Sequence, residues 1–251
     1  TREQTMNTFR VLVLDDSRDL IQMFNGRAPH EEVVAGTAWR IEYDLVHIEV
    51  KKAGGRNEFT EATLLAIISS CQNAPNLILS DYGFVAEDDF DLKPNEYFSV
   101  ARNPADLKAA LLGYVGNNNS ADNGKHLHAV QTLLSNASPF YLYTYTGKDY
   151  RDVHPEPLER ANKVKGALNR DVRLVDISKE LFDGDKLPGD DKVLRAYLTA
   201  GLLARIVDRE LLIHALAWEI KRLRYIRYTR SSFAVATIVL IGGTIGAISE
   251  W

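Results

Sequence analysis

A chain of 251 residues with 45% hydrophobic and 25% charged side chains has room for one sizeable core plus an appendage. Its net charge of −4 supplies no basic excess to neutralise phosphates, which argues against nucleic acid as a partner. The single cysteine, Cys71, excludes an intrachain disulfide, and six scattered histidines without thiolate neighbours speak against a zinc site.

Short apolar bursts separated by helical patterns are the rhythm of a parallel sheet with crossover helices. After a polar extension over 1–8, Phe9–Leu14 (FRVLVL) reads as a strand buried on both faces, and Ser17 as the cap of a following helix. Trp39–Val50 alternates apolar and polar residues and predicts one long second strand. Thr60–Cys71 has helical spacing. Asn76–Leu79 is the third strand, ending in Ser80 and Asp81. The stretch from Gly83 to Asn123 breaks the rhythm and reads as an insertion of about 84–123. Within it lie an acidic run (Glu87, Asp88, Asp89, Asp91) and a helix capped at Asn103-Pro104. Pro139–Thr144 and Val172–Ile177 are the fourth and fifth strands, with a charged helix over Glu156–Asn169 between them. From Asp190 to about Arg224 one long amphipathic helix is expected.

In such a sheet ligands sit beyond the carboxyl ends of the strands. Those ends supply Asp15 and Asp16, then Asp81, then Thr144, then Lys179. Clustered carboxylates raise each other's pKa unless a cation neutralises them, and a hard divalent ion such as Mg²⁺ suits an all-oxygen set. With the charge balanced, Asp81 could act as a carboxylate nucleophile toward phosphorus, Lys179 spreading the charge on the transferring oxygens.

These residues, in this chain order, resemble the response-regulator receiver domain. VLVLDDS resembles its first strand with the acidic pair, LILSDYG the strand ending in the phosphoacceptor, GKHLHAVQTLLSNASPFYLYT the segment entering the fourth strand, and VRLVDISKE the fifth strand with its Lys. The resemblance implies a doubly wound parallel five-stranded sheet of flavodoxin-like order over residues 9–205. It makes Asp81 the phosphoacceptor and Asp15, Asp16, Asp81 and the Gly83 carbonyl the Mg²⁺ ligands, with Thr144 and Lys179 binding the phosphoryl group. It implies a signalling protein rather than an enzyme, loaded by a histidine kinase or phosphotransfer protein. Three positions depart from the family pattern: Asp176 replaces an aromatic switch residue, Glu180 a proline, and Tyr145 a small residue.

Beyond a linker helix over 206–230, Ser231–Ile248 carries no charge and follows Lys221, Arg222, Arg224, Arg227 and Arg230. Eighteen such residues span about 27 Å as a helix, so a transmembrane segment over 231–251 is expected, with the receiver side in the cytoplasm and a single pass through the inner membrane. Gly242 and Gly246 form a GxxxG that suits helix packing and a homo-oligomer. The architecture resembles membrane effectors of bacterial antiviral defence. The alternative readings are a membrane-tethered pseudo-receiver scaffold that never takes phosphate, and a soluble enzyme whose tail is a core hairpin.

Overall fold

The computed structural model describes residues 6–27, 29–53, 56–86, 89, 100–117, 123–135, 137–144, 157–177 and 192–248, with side chains of the last helix described as far as 229. Eight strands occur among them: β1 (Asn7–Asp15), β2 (His30–Val34), β3 (Thr37–His47), β4 (Val50–Ala53), β5 (Arg56–Phe59), β6 (Leu77–Asp81), β7 (Phe140–Thr144) and β8 (Arg173–Asp176). The helices are α1 (Arg18–Asn25), α2 (Glu61–Gln72), α3 (Pro104–Asn117), α4 (Asn123–Leu134), α5 (Pro157–Leu168) and α6 (Lys192–Ile248).

The main sheet has six strands in the order β2-β3-β1-β6-β7-β8. Five of them, β3, β1, β6, β7 and β8, run parallel, and β2 pairs antiparallel with β3 at the edge. The chain moves from β1 to β3 on one side, then crosses to β6 on the other, so the order reverses between β1 and β6.

Three expectations need correction. The sheet is mixed and six-stranded, not an all-parallel five-stranded one. The added strand is polar (HEEVV) with alternate residues open to solvent, a pattern tolerated at an edge but not in a buried strand. It joins β3 through Ala35 and Gly36, both at positive φ (51° and 75°), the geometry of a tight two-residue hairpin turn. Alanine in place of the usual Asn or Asp hides that turn in the sequence. The long second strand also ends at His47, and Val50 starts a separate hairpin, β4–β5.

The third correction concerns the membrane. Among the described residues no helix is long and apolar enough to cross one. The described part of α6 is broken by Arg205, Asp208, Arg209 and Glu210, then by Glu219, Lys221, Arg222, Arg224 and Arg227, too closely for an apolar span. The side chains of the expected segment, 231–251, lie outside the described residues. The backbone of α6 runs on from Lys192 to Ile248 as one helix. A transmembrane segment and a single-pass location in the inner membrane are therefore not supported.

Strand alternation sends side chains to two helical layers. Leu12, Leu14, Ile78, Phe140 and Leu142 face α2, α3, α4 and α5. Val11, Val13, Leu77, Leu79 and Val175 face α1 and α6. The segment read as an insertion contributes to the first layer, because Leu107, Leu111 and Val115 of α3 recur at helical spacing and are buried there. Asn103 caps α3, its Oδ1 accepting from the N–H groups of Ala105 (2.8 Å) and Asp106 (3.2 Å). Ser17 caps α1 and Thr60 caps α2 in the same manner.

A polar network crosses the second layer. The Tyr141 hydroxyl donates to Glu210 Oε1 of α6 (2.5 Å) and accepts from Arg173 Nη1 and Arg209 Nη2, both at 2.6 Å. Glu210 is buried, and Arg173 completes its neutralisation at 2.8 Å. A buried carboxylate so paired holds α6 in one register against β7.

Two substitutions check this reading. Ala35→Gly relieves the left-handed alanine and raises stability in urea by about 1 kcal/mol. Leu111→Ala lowers it by about 2–5 kcal/mol, as for a core leucine, whereas a residue in a solvated insertion would cost under ~0.5 kcal/mol.

Candidate functional site

The strand order reverses between β1 and β6, and in open α/β sheets ligands usually sit beyond the carboxyl ends of the strands at such a point. β1 ends there in Asp15, followed by Asp16, and β6 ends in Asp81. Asp15 and Asp16 are buried, while Asp81 keeps part of its surface open.

Each carboxylate is held by neighbouring donors. Asp15 Oδ1 accepts from the Ser17 N–H at 2.6 Å, and its Oδ2 accepts from the buried Tyr143 hydroxyl. Asp16 Oδ2 accepts from the Val85 N–H at 2.8 Å. Asp81 Oδ1 accepts from the Tyr82 N–H at 2.7 Å, and the Gly83 N–H also bonds this carboxylate. The loop after β6 thus reaches back to both acidic strand ends. It is pinned by the two reciprocal backbone bonds between Phe84 and Arg102, and by Asp89, which is buried against Lys52 Nζ at 2.5 Å. His47 adds a support: its Nε2–H donates to the Asp16 carbonyl at 2.9 Å.

The electrostatics show that the three carboxylates share one field. Burial pushes Asp15 up to about 6, although its bonds from Tyr143 and Ser17 pull the other way. Asp16 rises well above the ordinary carboxylate range, first from burial and then from the Asp15 charge. Asp81 is raised by burial and by both Asp15 and Asp16, a push tempered by its partial exposure. Tyr143 is raised as well, by burial and by the charges of Asp15 and Asp81, so its hydroxyl stays protonated and donates.

Thr144 is buried at the end of β7, one residue past Tyr143, the register partner of Asp81. Gly83 stands in the loop directly after β6. Lys179 and Tyr145 lie outside the described residues, as do Glu180 and the side chain of Asp176. Asp15, Asp16, Asp81 and Gly83 are therefore brought together, with Thr144 on the adjoining strand end. Tyr143 went unrecognised in the sequence. Its only signal is position: in FYLYT it stands two residues after Tyr141 on the same face, beside the strand that ends in Asp81.

Among the described residues no group of three or more His, Cys, Asp or Glu side chains is arranged to hold a metal ion. Both oxygens of Asp15 accept hydrogen bonds, from the Ser17 N–H and the Tyr143 hydroxyl. Asp16 and Asp81 retain acceptor capacity, and the Gly83 carbonyl is near in sequence. One or two carboxylates with backbone oxygen and water is a normal magnesium set, so the donor chemistry fits Mg²⁺.

No protein-family model matches the chain, and no curated protein matches it in sequence.

The raised Asp15 pKa fixes a sign for pH dependence. In the metal-free protein the folded state keeps a proton between the ordinary value of 3.8 and about 6 that the unfolded chain has released. This contribution is absent below the lower value and destabilises increasingly as pH rises through the window, by about 3 kcal/mol in all. Urea unfolding at pH 3.5 and ~7, with chelator, should show Asp15→Asn gaining on the wild type by that order. A difference independent of pH would mean that Asp15 ionises without penalty.

Proposed function

We propose that the chain is a receiver-type phosphoacceptor in which Asp81 takes a phosphoryl group in a Mg²⁺-dependent phosphorelay. The observation that carries this reading is the convergence of Asp15, Asp16 and Asp81 at the strand reversal, with Asp81 alone partly open to solvent. Asp16 and Asp81, with the Gly83 carbonyl, would hold the ion, and Asp15 would act beside them. When bound, Mg²⁺ supplies the positive charge that lets all three carboxylates ionise together.

The chain's own groups do the rest. An Asp81 oxygen forms the new bond to phosphorus while the bond to the donor's histidine nitrogen breaks, its electron pair leaving with that nitrogen. The Tyr82 and Gly83 N–H groups orient the carboxylate for attack. Thr144 would hydrogen-bond the transferred group, and Lys179 would pair with it. The donor is a histidine kinase or phosphotransfer protein, and the output is signalling, not turnover.

One observation favours a second reading, a pseudo-receiver that binds partners without taking phosphate: the Tyr143 hydroxyl already occupies an oxygen of Asp15. Incubation of the full chain with Mg²⁺ and a small phosphodonor separates the two. The receiver reading requires an acid-stable, base-labile gain of about 80 Da in intact mass, abolished by chelator and by Asp81→Asn. An unmodified wild type, or an adduct that survives Asp81→Asn, overturns it. Tyr143→Phe then tests the pseudo-receiver, because only there would freeing Asp15 create reactivity that the wild type lacks.

A further inference from the structure

Helix α6 carries two apolar faces. One, including Leu203, Val207, Leu211 and Ala215, is buried against the sheet and α1. The other lies opposite: Ile213, Leu216, Ile220 and Leu223 are 52%, 47%, 51% and 55% exposed. Their spacing of three, four and three residues is the a/d pattern of a heptad seam. A surface helix needs one apolar stripe to dock on its own domain, and a second stripe on the far side is surface left for a partner.

The charges beside that stripe specify the partner. With Ile213 and Ile220 at a, Glu219 falls at g and Arg224 at e of the next heptad. In two parallel helices in register, g of one faces the following e of the other, so each Glu219 meets the second copy's Arg224. In an antiparallel pair that layers Ile213 on Leu223 and Leu216 on Ile220, e faces e and g faces g, which sets Arg224 against Ala217 and Glu219 against Leu212. Neither charge then meets an opposite one, and only the parallel arrangement pairs both. Glu219 holds Arg222 of its own helix at 2.8 Å, which leaves the exposed Arg224 outside that intrahelical pair. Because the buried stripe points away from the seam, two domains joined this way sit on opposite sides of the paired helices. The helix is already formed against its own domain, so little ordering opposes association.

We infer that the Ile213–Leu223 face of α6 is a parallel, two-fold docking surface for a second copy of this chain. The inference does not depend on phosphorylation. Arg209 and Arg227 occupy the d and a positions that bound the seam, which limits it to two heptads and makes the dimer concentration-dependent.

Sedimentation of the full chain from about 1 to about 100 μM tests this. The wild type should pass from monomer to dimer over that range. Leu216→Lys with Ile220→Lys should raise the dissociation constant by ~100-fold or more. Glu219→Lys should weaken the dimer, and adding Arg224→Glu should restore it. Arg224 is exposed and Glu219 is half-buried beside the stripe. Arg224→Glu alone, which sets a carboxylate at position 224 against Glu219 of the second copy, should also weaken the dimer and keeps the test usable if the other variants misfold. A wild type that stays monomeric throughout, or a dimer indifferent to the lysines, overturns the surface. A charge swap that fails to restore association overturns the parallel arrangement.

Discussion

Three carboxylates cannot be gathered at one end of a buried sheet unless their charge is offset, and much of this molecule is organised around that constraint. The donors are supplied locally: Ser17 to Asp15, Tyr82 and Gly83 to Asp81, and the more distant Val85 to Asp16. None of them carries a full positive charge, which is why burial and mutual repulsion still raise Asp16 and Asp81 well above their ordinary range. Backbone dipoles soften the repulsion without cancelling it.

The loop after β6 makes that compromise possible. A loop that merely connected β6 to α3 would leave Asp16 without a donor. Here the Phe84–Arg102 bridge and the tie between Asp89 and the β4–β5 hairpin hold the Val85 N–H at the carboxylate. Asn57 reinforces the arrangement, its Nδ2 donating to Asp89 Oδ2 at 3.3 Å and to the Val100 carbonyl at 3.1 Å. The small hairpin, remote from the acidic residues in sequence, is thus part of what shapes the site.

Legibility in the sequence followed burial. β1, β6 and β7 are continuous apolar runs. Asp15, Asp16 and Asp81 could be read from their ends because a charged residue directly after such a run marks where the strand leaves the core. β2 was hidden by its charges and by an Ala-Gly turn, β4–β5 by its polarity. The buried face of α3 was obscured because Leu107, Leu111 and Val115 follow a stretch with no sheet rhythm. The uncharged tail suggested a membrane span on composition alone, a signal that the described helix does not carry. Tyr143 was invisible for a different reason: an aromatic residue suits a strand whatever its hydroxyl does.

The two tyrosine hydroxyls of β7 point to the same side of the sheet, one bonded to Asp15 and the other to Glu210 of α6. β7 is laddered to β6 on one flank and β8 on the other, so it cannot slide without breaking both sets of backbone bonds. It behaves as a stiff rod with a polar hook near each end. The acidic strand ends and the long terminal helix are thereby fastened to one and the same strand.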